Sequence, residues 1–156
     1  LKRCVATALL VCLVLPALLY ALDSKKALYV GGTMTQVVKE GAEGKLSTLD
    51  ETKMVFTADK NAGVIEVPYA TVDSFEYGQK ATFRIKTALL LSPWTLFSKK
   101  RKHFLSLMWK DEAGKDAGVV FELGKDMVRP TFMVLEARTG KKMTFQDEDA
   151  KKRYAK

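Results

Sequence analysis

Residues 103–140 read HFLSLMWKDEAGKDAGVVFELGKDMVRPTFMVLEARTG, and their pattern decides the fold class. Leu105, Leu107 and Trp109 recur at every second position and so share one face of a strand. Val119, Phe121 and Leu123 do the same on a second strand. The connection between them, KDEAGKDAG, is polar and carries two glycines, which marks a β-hairpin. The period then changes. Met127, Val128, Thr131, Val134 and Leu135 fall on one side at 3.6-residue spacing, the signature of an amphipathic helix. Pro130 is tolerated near the start of such a helix, where a missing amide costs little. Gly140 is placed as its stop, with Arg138 favourable to the dipole of the last turn.

Upstream of the hairpin the chain reads as short strands separated by turns. Apolar runs at 28–30, around Leu46 and Leu49, at 53–58, 64–67 and 72–77 are bounded by Gly, Asp or Pro. Pro68 removes an amide donor and suits a strand end or edge. The glycine pair in YVGGT is expected to form a tight turn. Downstream, KKMTF adds a short strand, and QDEDAKKRYAK is expected to be a charged tail, frayed or loosely helical. The class is therefore mainly β with one C-terminal α-helix, arranged as a small barrel or bent sheet that the helix closes.

The N-terminal stretch LKRCVATALLVCLVLPALLYALDSKK bears on compartment. Lys2 and Arg3 precede an apolar run, Pro16 breaks it, and small residues follow at Ala17 and Ala21, the order of a secretory signal. The alternative is an uncleaved inner-membrane anchor, since residues 4–22 are just long enough to cross a bilayer. Either reading puts the rest of the chain outside the cytoplasm, periplasmic or secreted. Both cysteines, Cys4 and Cys12, lie in this stretch, so the remainder carries no disulfide and no thiol chemistry. The expected organisation is 1–21 signal or anchor, 22–27 linker, 28–145 folded domain and 146–156 tail.

The segments EGKLSTLDETKMVF, IEVPYATVDSFEYGQK, SKKRKHFLSLMWKD and VVFELGKDMVRPTFMVLEARTGKK resemble exported bacterial proteins with a PH-like or GRAM-like domain. The resemblance covers roughly residues 28–145 and rests mostly on core and turn residues. It implies the pleckstrin-homology-like fold and a habit of binding. It brings no catalytic motif.

Chemistry-bearing patterns are few. His103 is the only histidine in the 156-residue chain and sits in a Lys/Arg run, where positive neighbours disfavour its protonation. No carboxylate adjoins it in sequence to orient it as a base. Ser92, Ser98 and Ser106 lack a nucleophile-elbow context. Asp147, Glu148 and Asp149 lack the alternating ligand spacing of a calcium loop, and Asp111, Glu112 and Asp116 read as a hairpin loop. The expectation is a non-enzymatic protein with no cofactor and no metal. The formal net charge of +8 points to anionic partners. The export signal removes nucleic acid from among them and leaves a protein partner or an anionic membrane surface.

The basic run Lys99, Lys100, Arg101, Lys102 follows an apolar stretch containing Leu91, Trp94 and Phe97. One reading is a segment packed on the sheet with a solvated exit. The other is an interfacial element, with the aromatic residues at headgroup depth and the cations facing anionic lipid. A structural or envelope-stress protein that works by self-assembly is the alternative function, and an enzyme with an unrecognised site is the third.

Overall fold

The computed structural model describes residues 25–79 and 102–155. Eight strands form one sheet: β1 (Lys25–Gly32), β2 (Glu43–Ser47), β3 (Lys53–Ala58), β4 (Val64–Pro68), β5 (Val72–Gly78), β6 (His103–Lys110), β7 (Asp116–Leu123) and β8 (Thr144–Phe145). Two α-helices follow β7 in the chain, α1 (Lys125–Thr139) and α2 (Glu148–Tyr154). The strand order is β4-β3-β2-β1-β7-β6-β5-β8, an open sheet with β4 and β8 at its edges. All neighbours are antiparallel except β5 and β8. Two meanders, β1–β4 and β5–β7, are thus joined where the first strand of one meets the last strand of the other. The class read from the sequence holds in its coarse form, mainly β with C-terminal helical structure. Among the described residues no helix is long and apolar enough to cross a membrane.

The hairpin forms as its period requires. Leu105 lies opposite Phe121, Leu107 opposite Val119 and Trp109 opposite Ala117, and all six side chains are buried. The buried face of α1 is the one the 3.6-residue spacing marks, with Phe132 added to it. Gly140 ends the helix in the left-handed conformation, φ 69°, and its amide donates to the Glu136 carbonyl. Trp109, Phe121 and Leu135 belong to one core cluster, together with Tyr29, Phe56, Phe75 and Tyr77. A smaller cluster of Val30, Phe104 and Val120 lies apart from it.

Arg138 fastens the end of α1 to the first meander. Its Nη1 donates to the carbonyls of Thr48 (2.6 Å) and Asp50 and to the Tyr69 hydroxyl (3.2 Å). Its guanidinium also lies 5.2 Å from the Tyr69 ring centroid, a cation–π contact.

Four expectations need correction. The glycine pair of YVGGT is not a turn but the end of β1, next to a register shift between Tyr29 and Gly31. Gly32 has φ +144°, and a Cβ there would stand 2.1 Å from the Gly118 carbonyl oxygen, so the two backbones touch only because no side chain intervenes. Leu49 is not a strand residue: β2 ends at Ser47 and Leu49 is 53% exposed. Residues 146–156 do not form a frayed tail. Asp147 caps α2 by accepting from the Ala150 amide (2.8 Å), Ala150 is buried, and Tyr154 packs against Phe145, Phe132 and Tyr77. Strand β1 also starts at Lys25, inside the stretch expected to be a linker.

Leu135 is fully buried between helix and sheet. Leu135→Ala is expected to lower stability by roughly 2–5 kcal/mol in urea denaturation. A loss under ~0.5 kcal/mol, the size of a surface effect, would show the helix face to be misassigned.

Candidate functional site

A cleft of about 570 Å³ opens where the end of β5, the start of β6, the first turns of α1 and the end of α2 meet. Tyr77 and His103 line it from the sheet, Lys125 and Arg129 from α1, and Arg153 and Tyr154 from α2. Local structure places each of them. Tyr77 is directed inward by the alternation of β5, in which Phe75 and Tyr77 are both buried. His103 opens β6 opposite Leu123 and is half-buried. Lys125 and Arg129 are one helical turn apart, at i and i+4, so they stand on the same side of α1. Arg129 is fixed by donating from Nη2 to the Tyr154 carbonyl (3.0 Å), with its guanidinium 5.7 Å from that residue's ring centroid.

The electrostatics of the cleft are one-sided. Asp126 also lines it, but its carboxylate is paired with Lys25 at 2.7 Å. That ammonium holds the Asp126 carboxyl below the usual carboxylate range. Among the described residues neither Lys125 nor Arg153 has a carboxylate partner within ion-pair distance. Lys125, Arg129 and Arg153 therefore present positive charge to one concavity, against an apolar wall formed by Val128, Pro130 and the tyrosine rings.

His103 is neutral in this setting. Burial lowers its proton affinity first, and Arg153 and Lys125 lower it further. The ring stacks on Tyr77, centroids 5.9 Å apart and planes 29° from parallel. The Tyr77 hydroxyl lies 2.6 Å from His103 Nδ1. The pair is hydrogen-bonded, and the imidazole tautomer decides which of the two donates. Burial raises the phenol's pKa, which keeps Tyr77 protonated and able to donate. The cleft as a whole offers N–H donors and positive charge. Among the described residues that line it, no base is oriented by a carboxylate.

The sequence singled out Leu91, Trp94, Phe97, Lys99, Lys100, Arg101 and Lys102, of which only Lys102 is among the described residues. Its ammonium pairs with Glu122 of β7 at 2.8 Å. His103 was read from its sequence neighbours as a residue that positive charge keeps neutral. A lowered proton affinity is present: burial contributes most, and Arg153 and Lys125, brought in by the two helices, add to it. Lys125, Arg129 and Arg153 went unmarked because the first two lie on α1 and the third on α2, far apart in sequence, and only the fold brings them to one cleft. The usable signals were Asp147 as a cap and Tyr154 one turn after Ala150, which together put α2 against the sheet.

Comparison with protein-family models finds none that matches the chain, and comparison with curated proteins finds no match.

The titration of His103 has a stability consequence. Its folded pKa is lowered, so between that value and the unfolded value near ~6.5 the unfolded chain binds more protons. Stability attached to neutral His103 is present above that window and is lost as pH falls through it. From about pH 7.5 to about pH 5 the wild-type protein is expected to lose stability relative to His103→Gln, read from urea midpoints. Parallel profiles for the two proteins would contradict the placement of His103 among these cations.

Proposed function

We propose that this chain is a non-enzymatic binding module of the PH-like or GRAM-like type that works outside the cytoplasm and contacts an anionic membrane surface. The observation that carries the reading is the cleft, in which Lys125, Arg129 and Arg153 converge and none of them makes an ion pair among the described residues. The layout of the domain supports the PH-like part: two antiparallel meanders are joined through their first and last strands, and a helix after the last strand packs on the core. The export part rests on the N-terminal stretch, and the membrane part gains from the basic run that leads into His103. Leu91, Trp94 and Phe97 would add apolar contact and Lys99, Lys100 and Arg101 further charge, while Lys102 is already held by Glu122.

The magnitudes favour collective attraction over any single bond. Each Lys or Arg near an anionic leaflet contributes about 1 kcal/mol, and the contribution fades as salt shortens the screening length to about 8 Å. Lys125 and Arg153 make no ion pair with a described residue, so replacing them removes charge without breaking such a pair. The full chain is expected to bind vesicles containing phosphatidylglycerol and to release them as salt rises. The Lys125→Ala/Arg153→Ala variant is expected to bind roughly thirtyfold more weakly. The Lys45→Ala/Lys115→Ala variant, with the same change in net charge, is expected to keep most of the affinity. Equal losses in the two variants would mean that overall charge and not the cleft is responsible. No vesicle binding at low salt would reject the membrane reading and leave a protein partner.

A further inference from the structure

Resting on that reading, we propose that the cleft takes a tetrahedral dianion of the phosphate-monoester or sulfate class, and that binding is coupled to uptake of a proton by His103. The donor set fits such a group. Arg153 and Lys125 are without carboxylate partners among the described residues, and Arg129 has committed only Nη2, to the Tyr154 carbonyl. Guanidinium groups match the oxygens of a tetrahedral anion two at a time, and an ammonium supplies a point charge. At about 570 Å³ the cleft is of the size of small-ligand pockets, with room for the group that carries the phosphate. The aromatic and proline wall would lie against that remaining part.

The coupling follows from what faces His103. It contacts Tyr77 of β5, and it shares the cleft with Lys125, Asp126 and Arg129 of α1 and Arg153 and Tyr154 of α2. Glu122 of β7 is engaged by Lys102, and Asp126 by Lys25. The uncompensated charges around the ring are therefore positive, and with burial they keep it neutral. A dianion seated between Lys125 and Arg153 cancels that field. The ring can then accept a second proton, after which both imidazole nitrogens donate and the Tyr77 oxygen accepts from Nδ1. Nε2–H becomes a charge-assisted donor toward the bound anion. By reciprocity, whatever the anion adds to the proton affinity of His103, the proton adds to the affinity for the anion.

Because His103 is the only histidine, its imidazole NMR signals report on this ring alone. The full chain would be titrated with acid in sodium chloride and in sodium sulfate at matched ionic strength, so that screening is equal and sulfate stays a dianion throughout. The pKa of His103 is expected to lie below ~6.5 in chloride and to rise by about one unit in sulfate, which means about tenfold tighter sulfate binding to the protonated form. In Lys125→Ala/Arg153→Ala the difference between the two salts is expected to vanish. The same pKa in both salts would overturn the proposal, and so would a difference that persists in that variant. The vesicle experiment is independent of this one. If vesicles bind and the pKa is the same in both salts, the membrane reading stands and proton coupling falls. If the pKa rises in sulfate and vesicles do not bind, the coupling stands and the reading of a phosphatidylglycerol-type membrane surface falls.

Discussion

The pairing of β1 with β7 is the constraint on which the rest of the structure depends. Taken separately, β1–β4 and β5–β7 are antiparallel meanders with one apolar face each and little to bury it against. The β1–β7 ladder makes them one sheet, and α1 can then cover residues from both halves. Two features make that ladder fit. The register shift between Tyr29 and Gly31 re-aims the end of β1, and Gly32 lets its backbone lie against Gly118. The tyrosine and phenylalanine rings of Tyr29, Phe56 and Phe121 then meet across three strands. Phe56 and Phe121 are 4.9 Å apart, and Tyr29 is 6.0 Å from Phe121. Such ring pairs contribute about 0.5–1.5 kcal/mol each beyond the burial of their area.

The cleft is a consequence of how the chain leaves this sheet. Gly124 alone separates β7 from α1, so the first turn of the helix is held beside the start of β6. After α1, strand β8 returns to the free edge of β5: the Gln146 amide donates to the Tyr77 carbonyl (2.9 Å) and the Thr144 hydroxyl to the Phe75 carbonyl (3.1 Å). That edge pairing sets α2 down with Arg153 near His103. Three cations are therefore brought together by backbone hydrogen bonding and aromatic packing, at some cost in mutual repulsion. Charges gathered without partners in a concavity are an unfavourable arrangement for folding alone and a favourable one for receiving an anion.

The sequence made the hairpin and the main helix legible because their side chains follow the two periods that secondary structure imposes. Leu105 to Trp109, Val119 to Leu123 and Met127 to Leu135 all lie where those periods place them. The glycine pair at 31–32 was misread because a glycine needed for a turn and one needed for close approach look alike in one sequence. The last residues were misread because QDEDAKKRYAK is dominated by charge, although its two apolar positions, Ala150 and Tyr154, are what bind it to the sheet. The cleft was illegible for a different reason. Tyr77, His103, Lys125 and Arg153 are spread over residues 77–153, and only the β5–β8 pairing brings the last of them to the others. The one local signal, a histidine among cations, gave the sign of the effect on His103, to which burial and then Arg153 and Lys125 contribute from elsewhere in the fold.

The central claim is that an anionic surface meets this protein at the cleft between the two helices and the sheet. Backbone amide NMR of the full chain with small bicelles containing phosphatidylglycerol tests it most directly. The account expects the largest shifts and broadening at His103, at residues 125–129 and at Arg153 and Tyr154, with little change at Lys39, Lys45, Lys60 and Lys115. Perturbation spread evenly over exposed cations, or concentrated at those four lysines, would contradict it.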